Sequence, residues 1–256
     1  MIEMIQDRDF VKLSSIGHAF FTRKGGMSKG KYHALNCSVD SLDDTQSVLD
    51  NRQRAMAHLN FPLNALVSVN NVHGNQVALI EQMGEQQKTD ADAMVTKLKK
   101  VVLASDSADC PIVLFADEQA EIIGLAHAGW KGAKLGIVEK TVEKMIFLGA
   151  HQDNICAVVS PCITQNSYEV SEEFYQQFLA DQHSNKVYFI QSKKQGHFLF
   201  DLLTYVKDKL HRLNLKLVTA IGLDTYSNEE LFFSCRRAYH QGATDFGGQL
   251  SCVYLK

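Results

Sequence analysis

Several large functional classes are excluded by what the chain has little of. Its 256 residues include three prolines and one tryptophan, and no Gly/Ser/Pro-rich stretch divides them into linked parts. No segment recurs at the period of about 20 to 50 residues that marks repeat proteins. Six cysteines, Cys37, Cys110, Cys156, Cys162, Cys235 and Cys252, form no Cys-x-x-Cys pair, so neither a zinc knuckle nor a disulfide scaffold is indicated. Lysine and arginine number 26 against 29 acidic residues, which leaves no basic excess for a nucleic-acid partner. No apolar run approaches the roughly 20 residues that cross a bilayer. The opening "MIEMIQDRDF" carries acids where a signal peptide needs a basic and then an apolar region. The expectation is one domain over residues 1–256, soluble and cytoplasmic, with a small-molecule partner and neither a nucleic acid nor a membrane. The 45% hydrophobic content is enough for its core.

What is present reads as alternating short apolar runs and amphipathic segments. Positions 44–59 predict a helix, with Val48, Arg52, Met56 and Leu59 near a 3.6-residue period. "ALVSV" and "QVALI" predict two strands around the turn "NNVHGN", which places His73 at a strand end. "KKVVLASDSADCPIVLFADEQAEIIGLAHAG" reads as three strands, the last two joined by a polar turn. Antiparallel pairing about that turn brings Cys110 and His127 to the same sheet end. "LGIVEKTVEKMIFLG" predicts a helix burying Leu135, Val138, Val142, Met145 and Ile146 and ended by Gly149. The glycine-bounded residues 129–133 ahead of it read as a turn or an anion-holding loop. Helices opened by Ser171 and Asp201 follow, with "ICAVVSPCI", "KLVTAIGL", "ELFFSC" and "LSCVYL" read as β-structure. The mixed order predicts an α+β fold, with mixed β-sheets and helices packed outside.

His73, Cys110 and His127 are the residues with the most chemistry to offer. Two imidazoles and a thiolate suit a borderline-soft ion such as zinc, and three protein ligands leave a fourth position for water or substrate. That is the layout of a catalytic metal site. Each residue also reads as an ordinary buried thiol or hydrogen-bonded histidine, and no short metal motif spans the three. Arg23, Lys131, Arg236 and Arg237 are candidate cations for an anionic substrate, with Arg236 placed at the end of an apolar strand. Asp109 and Asp92 are candidate proton carriers, or groups that cap a turn or orient a histidine. Trp130 stacks on a base or packs in the core.

The segments "HAFFTRKGGMSKGKYHALN", "NVHG", "ADAMVT", "SADCPIVL", "AHAGWKG", "SPCITQNSYEV" and "FFSCRRA" resemble, in order and over almost the whole chain, the YfiH-type laccase-domain family. Its members carry the labels multicopper polyphenol oxidase and purine nucleoside phosphorylase. The resemblance implies a zinc site at His73, Cys110 and His127 and a phosphorylase of adenosine, inosine and S-methyl-5'-thioadenosine with adenosine deamination as a second activity. It also implies a sandwich-like core with flanking helices, related to bacterial toxin cysteine hydrolases. Catalysis then falls to Cys110, His127, His73 and Asp109, and substrate binding to Arg23, Arg236 and Lys131. The chain departs from the family pattern at Asn71, Ser160, Cys235 and Asp224, and at Gln249, where an arginine is usual; Gln249 cannot supply that charge. A metal-free cysteine hydrolase and a copper oxidase remain as alternatives. The ten histidines contain no His-x-His pair, which disfavours a multicopper cluster while leaving copper able to occupy the same three ligands.

Overall fold

A computed structural model describes residues 1–82 and 89–256, and shows the expected α+β architecture as stacked layers. A five-stranded sheet runs in the order β1 (Met4–Ile5), β2 (Ile16–Phe21), β14 (Gln249–Leu255), β6 (Val102–Ser107), β3 (Leu66–Val67). A six-stranded sheet runs β13 (Leu217–Ala220), β9 (Cys156–Val159), β7 (Ile112–Asp117), β8 (Ile122–His127), β5 (Ala93–Thr96), β4 (Val77–Leu79). A small third sheet is formed by β10 (Glu169–Ser171), β12 (His197–Phe200) and β11 (Phe189–Gln191). Helix α1 (Thr45–His58) starts where Asp44 accepts the Ser47 N–H at 2.8 Å. The remaining helices are α2 (Trp130–Lys134), α3 (Ile137–Phe147), α4 (Glu172–Asp181), α5 (Leu202–Arg212) and α6 (Cys235–His240).

Side-chain alternation explains why "CPIVLFA" is apolar throughout. Ile112, Leu114 and Ala116 of β7 face the five-stranded sheet and meet Phe20, Leu103 and Val253. Val113 and Phe115 point the other way, into the layer holding Val138, Val142 and Met145 of α3 and Val206 and Leu210 of α5. A strand covered on both faces has no polar side to present. Ile112, Val113, Leu114 and Phe115 each contribute about 1.5–3 kcal/mol on burial. The outer face of the five-stranded sheet is closed by Ala55 and Met56 of α1 against Phe21, Ala104 and Cys252.

The structure corrects three expectations. Leu135 is 55% exposed and Ile146 40% exposed, because α3 starts at Ile137 and its buried stripe is Ile137, Val138, Thr141, Val142 and Met145. "ELFFSC" is not a strand: Ser234 accepts the Arg237 N–H at 3.1 Å and caps α6, so Arg236 sits in the first turn of a helix. The strands flanking His73 lie in different sheets, β3 beside β6 and β4 beside β5, so the turn between them crosses from one sheet to the other.

His18 on β2 is 1% exposed, lies edge-on to Phe10 and Phe20, and accepts the Asp7 N–H on Nε2 at 2.8 Å. Burial lowers its pKa to about 4, whereas an unfolded histidine titrates near 6.5. Between those values the unfolded chain binds the extra proton, so the His18 contribution is complete above pH about 6.5 and is lost as pH falls towards 4. His18→Gln, which keeps an acceptor for Asp7, should flatten the fall in stability from pH 7 to pH 5 in urea denaturation. Parallel curves for the two proteins would contradict this origin of the acid sensitivity.

Candidate metal centre

The pairing of the six-stranded sheet assembles the site. In the β7–β8 hairpin Ile112 pairs with His127, and the Ala128 N–H donates to Pro111 O at 2.8 Å, which puts Cys110 beside His127. In the β5–β8 pair Ala93 faces Ala126, and the His127 N–H donates to Asp92 O at 2.7 Å. Strand β4 runs parallel to β5, so the turn carrying His73 enters at that same end. Ligand atoms of His73, Cys110 and His127 lie within 4.8 Å of one another. His127 is buried, Cys110 half-buried and His73 exposed, so the group opens to solvent on one side.

Asp92 organises two of these three residues. Its Oδ1 accepts the His73 N–H at 2.9 Å and contacts His127 Nδ1 at 3.0 Å, and its Oδ2 accepts the Gly74 N–H at 2.6 Å and the Val72 N–H at 3.3 Å. His73 has a left-handed backbone, φ 57°, unfavourable for a side chain with a Cβ, and the carboxylate pins the turn that imposes it. Burial raises the Asp92 pKa, but the bonds from His127 and the turn outweigh it and hold the carboxyl below its usual range. Burial likewise works against a charge on His127, yet the neighbouring Cys110 sulfur and Asp92 raise its pKa to about 10. His73, exposed as a whole residue, moves the other way, lowered by the loss of solvent on the side of its ring that faces the site and by the neighbouring His127. With Nδ1 of His127 held by Asp92, Nε2 is the nitrogen that faces a ligand.

Gly129 leaves the space between the three side chains open. A Cβ there would lie 3.0 Å from Cys110 Sγ and 3.1 Å from His73 Nδ1. The donor set, one thiolate and two imidazoles with an oriented histidine, fits a borderline-soft metal ion, and the glycine cradle supplies the room. The sequence reads Gly129 as the edge of a turn or anion-holding loop, and the assembled site gives it this further reason.

Asp109, next to Cys110, is 7% exposed and has φ 87°. Its carboxylate accepts the Thr225 hydroxyl at 2.7 Å, the Ser234 hydroxyl at 3.0 Å and the Arg236 N–H at 2.7 Å. Arg236 therefore stands beside the metal-ligand group, with its guanidinium 5.1 Å from the Tyr168 ring and one N–H donated to Glu169 O at 2.6 Å. Tyr168 lies in the SPCITQNSYEV segment, and nothing in the sequence alone points to its place beneath this guanidinium. Arg237 spends its guanidinium on the Thr225, Tyr226 and Phe232 carbonyls at 2.8, 2.7 and 2.6 Å. Gln249 is 5% exposed and accepts the Phe233 N–H at 2.8 Å, so this neutral side chain braces the segment leading to α6.

Two sequence candidates lie differently. Arg23 stacks 4.4 Å above Phe233 and donates to His33 O at 2.7 Å and Glu229 O at 3.2 Å. It lines a cleft of about 550 Å³ with Lys24, His33, Glu229 and Glu230, whose walls include none of the three metal-ligand candidates. Lys131 is exposed on α2, 5.5 Å above Trp130, and close enough to His73 to lower its pKa. Trp130 packs edge-on against Phe174 at 4.8 Å, and the residues read as a loop form α2 itself.

Asp92→Asn should weaken zinc binding about 10- to 100-fold in competition with a chromophoric chelator, while far-UV circular dichroism stays unchanged. Gly129→Ala should lower zinc stoichiometry at equal fold content, since its methyl enters the space between the ligands. Wild-type affinity and stoichiometry in both variants would contradict the assignment.

Comparison with known proteins agrees with this architecture. Residues 17–256 match a family model described as multi-copper polyphenol oxidoreductase laccase. A purine nucleoside phosphorylase of Rickettsia conorii is 36% identical over 242 residues, covering 94% of this chain and 97% of the relative. One of Deinococcus radiodurans is 43% identical over 166 residues, covering 65% and 64%. The crystal structure of the Bacillus licheniformis hypothetical protein YfiH superposes with a TM-score of 0.86 at 26% identity, covering 96% of this chain and 94% of that one. The Neisseria meningitidis protein NMB0706 gives 0.85 at 26% identity, covering 100% and 99%. By this match over nearly its whole length, the chain belongs to the multi-copper polyphenol oxidoreductase laccase family, the one its motifs resemble.

Proposed function

We propose that the protein is a zinc-dependent purine nucleoside phosphorylase acting on adenosine, inosine and S-methyl-5'-thioadenosine, with adenosine deamination as a second activity. The observation that carries this reading is the His73, Cys110, His127 group with Arg236 beside it, in a chain whose relatives bear the phosphorylase name. His73, Cys110 and His127 hold the metal, and Asp92 fixes the orientation of His127. When bound there, the metal would supply a Lewis acid.

Phosphorolysis needs an anion held against the anomeric carbon while the glycosidic C–N bond breaks, giving a pentose 1-phosphate and a free purine. Arg236 suits the anion. One of its N–H groups and one face of its planar guanidinium are already committed to Glu169 and Tyr168, which fixes the guanidinium with donors to spare. Lys131 on α2, close enough to His73 to lower its pKa, adds a second positive charge, while Arg23 lines a separate cleft and would act on the substrate only from there. An intracellular, cytoplasmic setting accords with free nucleosides and phosphate as substrates and with thiols kept reduced. Among the described residues no helix is long and apolar enough to cross a membrane.

One observation favours a second reading. His127 lies between Asp92 and Cys110, the nucleophile, base and orienting group of a cysteine hydrolase acting on an amide or ester. The metal separates the two, because a thiolate held by zinc is a poor nucleophile. A polyphenol oxidase finds less support. Among the described residues one group of three candidate metal ligands occurs, short of the several histidines a multicopper cluster needs. Copper in this single site is an adventitious occupant on this reading.

Zinc-loaded protein should convert adenosine to adenine only when phosphate is present, and to inosine without it, with both products abolished in Cys110→Ser by chromatography. Iodoacetamide should alkylate Cys110 slowly in the zinc form and rapidly after chelation. Nucleoside inertness together with amide hydrolysis by the metal-free protein would replace this reading with the hydrolase.

A further inference from the structure

We propose that Asp109 is the positioning residue that locks Arg236 to the metal-binding strand end, instead of carrying a proton itself. The inference rests on the phosphorylase reading above and assigns to Asp109 the geometry of its phosphate site.

Asp109 holds φ 87°, a left-handed conformation that a residue with a Cβ adopts at a penalty, directly before Cys110. What this conformation gains is a carboxylate turned away from the ligands and into the chain that carries α6. There Oδ1 takes the Thr225 hydroxyl, and Oδ2 takes both the Ser234 hydroxyl and the Arg236 N–H. Three donors converge on a group that is 7% exposed, which leaves it poorly placed to exchange a proton with a substrate. The Asp109 main chain is tied down as well, its C=O accepting the Ile163 N–H at 2.9 Å. Ser234 also caps α6 through the Arg237 N–H, and Gln249 Oε1 accepts the Phe233 N–H. The segment 233–236 is thereby held at Phe233, Ser234 and Arg236. The result is a short rigid link from Cys110 through Asp109 to Arg236, which sets the separation between the metal and the anion.

An asparagine at position 109 keeps the shape but removes the charge and one acceptor oxygen: with its Oδ1 kept for Ser234 and the Arg236 N–H, its N–H₂ meets the Thr225 hydroxyl, which must turn round to accept, so the charge-assisted link weakens without a cavity. The test measures the phosphate Kd by calorimetry, and kcat and phosphate KM across pH, on the full-length zinc-loaded protein. Asp109→Asn should raise phosphate KM and Kd about 10- to 100-fold, with zinc stoichiometry and the shape of the kcat–pH profile retained. Thr225→Val, which removes one donor at a fully buried position, should give a smaller rise and serves if the first variant does not fold. Arg236→Gln should raise the same constants, and Asp109→Asn added to it should change little further, because both act through one contact. Loss of a limb of the kcat–pH profile in Asp109→Asn with unchanged phosphate KM would make Asp109 a proton carrier and overturn the proposal. Wild-type phosphate constants in Asp109→Asn and Thr225→Val would overturn it too, as would an Arg236→Gln enzyme that handles phosphate normally. A wild-type protein that neither binds phosphate nor turns over nucleoside defeats the phosphorylase reading itself, a result that the variants are not needed to see.

Discussion

The site depends on a single buried carboxylate. Asp92 leads into β5, and in that place its main chain pairs with His127 while its side chain gathers the N–H groups of the His73 turn. Strand pairing alone would bring Cys110 and His127 together, since they share a hairpin. It would not fix His73, whose turn crosses between sheets and whose backbone lies in an unfavourable region. The carboxylate meets that cost with several charge-assisted bonds, each worth about 1.5–3 kcal/mol. The same group decides which nitrogen of His127 is free. Geometry and ligand electronics therefore rest on one residue.

The layers around it make such a buried charge tolerable. The six-stranded sheet is packed on both faces, so its strand ends are positioned by interlocking side chains, with little freedom to splay. Asp92 and Asp109 stand ahead of β5 and β7, the strands on either side of β8, and their carboxylates enter different surroundings. One serves the histidines and the other serves α6. Two acids in similar sequence positions thus divide the work of holding the ligands and holding Arg236.

Legibility in the sequence followed the range of the interactions. The Cys110 and His127 juxtaposition was readable because a polar turn joins two apolar runs, a local signal. The capped helices after Asp44, Ser171 and Asp201 were readable for the same reason. "ELFFSC" misled because a short apolar run before a serine is compatible with a strand or with a buried approach to a helix cap; Phe232 and Phe233 are the latter. Leu135 misled because periodicity extends past a helix boundary that the left-handed Gly136 sets. The bonds from Asp109 to Thr225, Ser234 and Arg236 span more than a hundred residues and left no local trace. The resemblance to the family supplied the ligand set, while the reason for Gly129 and for Tyr168 under Arg236 came only from the assembled structure.

The account's centre is that His73, Cys110 and His127 bind one metal ion together. X-ray absorption at the zinc edge of the loaded protein tests this most directly, because sulfur and nitrogen neighbours scatter at different distances. The prediction is one sulfur at about 2.3 Å and two imidazole nitrogens at about 2.0–2.1 Å, with the remaining position filled by a light atom. A zinc shell with no sulfur, or with imidazole scattering unaffected by replacing His73, would contradict it.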